Sequence, residues 1–118
     1  MRFHALLLAT AWLVAASPIA QGQEAGDIPA EKRNAAKLAG LVGFVNVHCS
    51  ALKSDAERFK SAIRSMGVDP AEIDRDALML QARAYLAAYE KDVPANCEKA
   101  VELFGQKGRI IPGIFLPR

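Results

Sequence analysis

Apolar side chains recur at helical spacing in the first long segment of the chain, from Glu31 to Leu52. One stripe, with spacings of 4, 3 and 4, is formed by Leu38, Val42, Val45 and Cys49. Gly40 and Gly43 each lower helix propensity by about 1 kcal/mol relative to alanine, but they allow a neighbouring helix to approach closely. The pattern predicts a helix over residues 31–52.

A second helix is predicted to begin at Ser54, where Ser-Asp-Ala-Glu has the form of a capping box. We expect the Ser54 hydroxyl to accept a hydrogen bond from the Glu57 amide. The apolar face of this helix consists of Ala56, Phe59, Ile63 and Met66. Gly67 is well placed to end it.

Two further helices are predicted downstream. Asp69-Pro70 is a second start signal, and residues 70–75 fit either the beginning of the next helix or a separate turn. Residues 76–91 then carry a stripe formed by Met79, Ala82, Leu86 and Tyr89. After the break at Val93-Pro94, a last helix ends at Gly105. Its stripe is formed by Cys97, Val101 and Phe104.

The tail, residues 106–118, cannot form a regular helix because Pro112-Gly113 and Pro117 interrupt it. It nevertheless contains five large apolar residues, which are Ile110, Ile111, Ile114, Phe115 and Leu116. We expect these residues to fold back onto the helices, with Pro112-Gly113 making the turn; the alternative is a strand-like segment that binds a partner. We therefore predict an all-α fold for residues 31–118, a single domain of four helices followed by an irregular apolar tail.

The N-terminus has the three zones of a secretory signal peptide. Arg2 is followed by an uncharged apolar run from Ala5 to Ala16, and Ser17-Pro18 then breaks the helix. We predict a signal peptide over residues 1–22, with cleavage after Gly22 or as late as Ala25, and a flexible lead-in over residues 23–30. An uncleaved anchor is the alternative, but crossing a bilayer takes about 20 apolar residues. We expect no stable membrane anchor after cleavage.

Composition narrows the function classes. Cleavage leaves roughly 95 residues, near the lower end of what one apolar core supports. The whole chain has a net charge of +2, and its acidic and basic residues interleave without blocks, so we expect no nucleic-acid partner. In an exported chain of this size, two cysteines indicate a structural disulfide between Cys49 and Cys97.

The sequence shows no convincing catalytic or metal-binding pattern. His48 adjoins Cys49, but consecutive helical residues point about 100° apart and cannot act as a catalytic pair. The carboxylates around the third helix, Asp74, Asp76, Glu90 and Asp92, lie at helix ends, where acids occur for local reasons. Tyr85 and Tyr89 either line a ligand groove or pack at the core edge. We expect neither catalysis nor a metal or cofactor.

The separation of Cys49 and Cys97 and the overall layout resemble the HdeA-type periplasmic acid-stress chaperones, which are small exported helical proteins with one disulfide between distant cysteines. The resemblance implies a chaperone that exposes apolar surface when acid protonates its carboxylates. This sequence departs from the family in two places. Ser50-Ala51 stands where the family usually has an acidic pair. The family's usual tryptophan is also absent from the mature part, because Trp12, the only tryptophan, lies in the predicted signal peptide.

These features favour a non-enzymatic exported protein that works by binding a protein partner. If the source is a Gram-negative bacterium, the compartment is the periplasm; otherwise the protein is secreted. The HdeA-like chaperone is one alternative. A carrier of a small ligand is the other, and it would need a sizeable cavity between the helices.

We predict that the exported protein begins between Gln21 and Gly26 and contains no tryptophan, because the signal peptidase removes Trp12 with the signal. Intact mass and N-terminal sequencing check this directly. A mature chain that retains Trp12 would contradict the export hypothesis.

Overall fold

A computed structural model describes residues 28–118, so the predicted signal peptide and most of the lead-in lie outside the described residues. This part of the chain contains four α-helices, a short 3-10 turn and a two-stranded antiparallel sheet. In chain order the elements are α1 (Ala30–His48), β1 (Leu52–Ser54), α2 (Ala56–Ser65), the turn (Pro70–Asp74), α3 (Asp76–Tyr89), α4 (Val93–Phe104) and β2 (Phe115–Pro117). The predicted all-α class with four helices is confirmed.

The first helix supplies much of the core. The side chains of Leu38, Leu41, Phe44 and Val45 are buried on α1. Leu38 and Val45 belong to the predicted stripe, whereas Val42 of that stripe is only half-buried. The helix ends at His48, however, and not at Leu52 as predicted. The chain turns at Cys49 and enters β1, where its backbone groups pair with β2 instead of continuing the helix.

Glycine allows α1 and α3 to approach closely. A Cβ atom on Gly40 would lie 2.6 Å from the carbonyl oxygen of Ala82 and 2.8 Å from the Cβ of Tyr85. A Cβ on Gly43 would meet only a methyl group of Leu86, at 2.9 Å. The expected close contact at these glycines is therefore present, and Gly40 is the position where it involves backbone.

The start of α2 differs from the capping box predicted at Ser54. Asp55 is the N-cap residue, and its side chain accepts a hydrogen bond from the Arg58 amide at 3.0 Å. Ser54 belongs to β1, and its hydroxyl donates to Asn46 Oδ1 at 2.9 Å. The capping signal was displaced by one residue because Ser54 pairs with Phe115 in the sheet.

Two other helix predictions are settled by the structure. Residues Pro70–Asp74 form a separate 3-10 turn, which was one of the two alternatives. On α4 the buried residue is Ala100, whereas Val101, predicted to lie on the apolar stripe, is 47% exposed. The helix is rotated so that the small Ala100 side chain faces the core and Cys97 reaches Cys49.

The tail folds back onto the helices. Gly113, at φ +89°, permits the turn, and its amide donates to the Gly105 carbonyl at 2.7 Å. Ile114 and Phe115 are then fully buried, with the Phe115 ring edge-on to Phe104 at 6.4 Å between centroids. β2 pairs with β1 in the register Leu52↔Pro117, Lys53↔Leu116 and Ser54↔Phe115.

The predicted disulfide joins Cys49 and Cys97, with 5.7 Å between their Cα atoms. It connects the residue that follows α1 to the second turn of α4, across 48 residues of sequence. In the chain-entropy description, closing a loop of this length stabilises the folded state by about 4 kcal/mol. That is comparable with the whole stability expected of a domain this small.

We predict that Gly40→Ala destabilises the protein, because the new methyl group meets the α3 backbone and that helix must shift. The overpacking cost of about 1–3 kcal/mol exceeds the gain in helix propensity of about 1 kcal/mol. Gly43→Ala is the matched control, because a Leu86 methyl group can rotate away. Thermal melts should show a lower Tm for Gly40→Ala and an equal or higher Tm for Gly43→Ala; the reverse order would contradict the close contact.

We predict that reducing the Cys49–Cys97 bond lowers the free energy of unfolding by about 4 kcal/mol, because the unfolded chain regains conformational freedom. Urea denaturation with and without reductant measures the change. In the Cys49→Ala/Cys97→Ala variant, reductant should have no effect. A wild-type midpoint that does not respond to reductant would count against this stabilising role.

Candidate functional site

The five apolar tail residues considered as a partner-binding surface do not form one exposed surface. Ile114 and Phe115 are buried in the protein's own core. Ile111 and Leu116 are half-buried, and only Ile110 is exposed, at 58%. The tail therefore contributes one large exposed apolar side chain, and the other four are buried or half-buried.

Backbone hydrogen bonds fix the position of Ile110. Its amide donates to the Leu103 carbonyl at 3.0 Å, and the amide of Ile111 donates to the same oxygen at 3.2 Å. The preceding Arg109 amide donates to the Glu102 carbonyl at 3.0 Å. Ile110 is thus held against the last turn of α4 and does not extend freely into solvent.

Ile110 borders a groove of about 500 Å³, which we call the α1–α4 groove. Its walls come from α1 and α4, and Tyr89 at the end of α3 also contributes. Its apolar lining consists of Leu38, Leu41, Leu103, Phe104 and Ile110. The two leucines of α1 are buried core residues, so the groove reaches down to the core.

The polar lining of the groove is basic or neutral. It consists of Asn34, Lys37, Asn96 and Lys99, together with Tyr89. No Asp or Glu lines the groove among the residues that the structure describes. Lys37 and Lys99 are exposed, and within residues 28–118 neither forms a salt bridge. An apolar surface bordered by two ammonium groups is the result.

Tyr89 is both a core-edge residue and part of the groove. Its ring lies 6.0 Å from that of Phe44, and its backbone carbonyl accepts a hydrogen bond from Asn96 Nδ2 at 3.0 Å. Burial, and secondarily the neighbouring Tyr85, raises the pKa of Tyr89 above its ordinary value. The phenol therefore stays neutral at physiological pH. Tyr85 does not line the groove; it packs against Gly40 instead.

His48 lies at the end of α1, half-buried, and pairs with Glu90. Its Nε2 is 2.7 Å from Glu90 Oε2, so the imidazole N–H donates to the carboxylate. The His48 ring also lies 5.2 Å from the Phe44 ring. This pair connects the ends of α1 and α3, and local sequence patterns could not predict it because the partners are 42 residues apart.

The other groups considered for chemistry have structural roles or lie apart. Both cysteines of the chain are in the disulfide. Asp92 caps α4 by accepting from the Ala95 amide at 3.1 Å, and Asp74 and Asp76 are exposed.

Within residues 28–118, no cluster of three or more His, Cys, Asp or Glu side chains is arranged to hold a metal ion. None of the helices in that range is long and apolar enough to cross a membrane.

The chain matches no protein-family model, and comparisons with curated proteins and with solved structures gave no significant match. The acid-triggered chaperone activity implied by the HdeA resemblance stays a prediction. The disulfide fits the exported location that the sequence predicts, because such bonds persist in oxidising compartments.

Sequence reasoning missed the α1–α4 groove, although part of the signal was present. On α1, Asn34, Lys37 and Leu41 have spacings of 3 and 4, and on α4, Asn96, Lys99 and Leu103 have the same spacings. Each set therefore shares a helix face. What the spacing could not show is that these two faces adjoin one groove and that Ile110 lies beside them.

Proposed function

We propose that this chain is an exported, non-enzymatic binding protein that uses the α1–α4 groove to bind an apolar segment of a protein partner. The observation that carries the proposal is the groove itself. It combines about 500 Å³ of space, an apolar lining that reaches the core, and an exposed isoleucine fixed at its border.

The position of Ile110 supports binding as the role of this surface. A small domain that buries Ile114 and Phe115 completely leaves Ile110 mostly in water, although a buried isoleucine would contribute about 1.5–3 kcal/mol. Exposed apolar residues are common one at a time, but one that borders an apolar groove forms a continuous surface. Because the backbone already holds this side chain, a partner would meet a preorganised contact with a small entropic cost.

The predicted signal peptide and the disulfide together support action outside the cytoplasm, in the periplasm if the source is Gram-negative and outside the cell otherwise. The disulfide also suits a binding protein, because it fixes α4 relative to α1 and so holds the two walls of the groove apart at a defined distance. A surface that keeps its shape in the free state binds without first being ordered.

A carrier of a small ligand is the second candidate, and the size of the groove favours it. Ligand sites are typically clefts of about 300–1,000 Å³ with an apolar lining and a few polar groups, and the α1–α4 groove lies within that range. Native mass spectrometry of the protein isolated after export separates the two candidates. A carrier should retain a small ligand as a discrete added mass, and a protein-binding domain should not.

We predict that Ile110→Asp abolishes capture of the native partner, because it places a carboxylate in the apolar surface that the partner covers. The matched control is Leu80→Asp on α3, which alters a side chain of similar exposure, 63%, outside the groove. Affinity capture with the oxidised protein, analysed by quantitative mass spectrometry, measures the effect. Both variants should melt like the wild type.

Two outcomes would count against the proposed function. Capture that survives Ile110→Asp would show that the partner binds elsewhere. Equal loss of capture in Ile110→Asp and Leu80→Asp would show that the assay reports general surface hydrophobicity and not the groove.

A further inference from the structure

The charged side chains around the α1–α4 groove indicate which class of partner segment it binds. Lys37 projects from α1 and Lys99 from α4, so the two helices each contribute one ammonium group. The polar lining carries no negative charge among the described residues. The groove is therefore electropositive, although the whole chain has a net charge of only +2.

Among the described residues, no salt bridge pairs Lys37 or Lys99 with an acid. Glu102 lies one turn after Lys99 on α4, but its carboxylate binds Arg109 at 3.0 Å. On α1, the basic residue that does find an acid is Lys32, which binds Glu72 at 3.1 Å on the turn before α3. The positions one turn before and one turn after Lys37 are Arg33, Asn34, Gly40 and Leu41, none of them acidic.

We propose that the α1–α4 groove recognises a protein segment that is amphipathic and acidic. This inference rests on the proposed function and specifies the partner's chemistry. The apolar side chains of the segment cover Leu38, Leu103 and Ile110, and its carboxylates face Lys37 and Lys99. The partner's carboxylates pair with the two lysines, which have no acidic partner in the groove lining, and the apolar contact supplies most of the affinity.

The same observations disfavour a strongly anionic polymer or a bilayer surface as the occupant. Nucleic acids and anionic membranes are bound through many basic groups spread over a wide face. Here two lysines border a concave apolar surface. This surface matches a narrow segment that has apolar side chains on one face and acidic side chains on the other.

The test uses the oxidised protein and two fluorescein-labelled helical model peptides with the same leucine pattern. One peptide carries glutamates at its polar positions, and the other carries lysines. Fluorescence anisotropy should show that the acidic peptide binds at least tenfold more tightly than the basic one and that its affinity falls as salt is added. The variant Lys37→Glu/Lys99→Glu should weaken binding of the acidic peptide at least tenfold and bind the basic peptide instead.

The matched control is Lys53→Glu/Arg64→Glu, which changes the net charge equally at two exposed positions outside the groove. It should leave the binding of both peptides close to that of the wild type. All four altered side chains are exposed, so circular dichroism and melting curves should be unchanged. If the control also loses the acidic peptide, the effect comes from net charge and the inference is overturned.

Other outcomes separate this inference from the proposed function. If both peptides bind equally, or neither binds while Ile110→Asp still abolishes partner capture, the acidic segment is wrong and the groove remains the binding surface. If dodecanoate alone saturates the protein in a manner that depends on Lys37 and Lys99, the occupant is a small anionic amphiphile and the inference is overturned. If Ile110→Asp affects neither capture nor the acidic peptide, the proposed function itself fails.

Discussion

The covalent bond between Cys49 and Cys97 is the constraint on which the rest of this small structure depends. It joins the end of α1 to α4 and thereby sets the spacing of the two helices that form most of the groove. A domain of this size has a small hydrophobic core, so the contribution of about 4 kcal/mol from one loop closure is a large share of its stability. The close contact of α1 with α3 at Gly40 completes the arrangement on the other side of α1.

The tail shows how a short chain divides its apolar residues between stability and surface. Ile114 and Phe115 complete the core, and the strand that follows pairs with β1. Ile110, only four residues earlier, is kept on the surface by hydrogen bonds to the backbone of α4. The turn at Gly113 separates these two roles, since its positive φ reverses the chain between the exposed and the buried residues.

Much of the fold could be predicted from residue spacing, because helical periodicity, the proline breaks and the cysteine pair are all local or compositional signals. The errors have a common physical cause. The end of α1, the cap at Asp55 and the exposure of Val101 all depend on contacts between distant segments. The first two depend on the pairing of β1 with β2, and the third depends on which face of α4 packs on the core. The groove was missed for the same reason. Residue spacing shows which groove residues share a face of one helix, but it does not show that the faces of α1 and α4 adjoin in the folded protein.

The disulfide also lowers the entropic cost of forming the β1–β2 sheet. In the reduced chain, pairing Ser54 with Phe115 requires closure of a loop that contains three helices. Once Cys49 and Cys97 are joined, the path between the strands shortens to residues 49–54 and 97–115. Since the entropy of closure grows with the logarithm of loop length, oxidation lowers the cost of forming the sheet by about 1 kcal/mol. The disulfide therefore favours the sheet, although neither cysteine belongs to a strand.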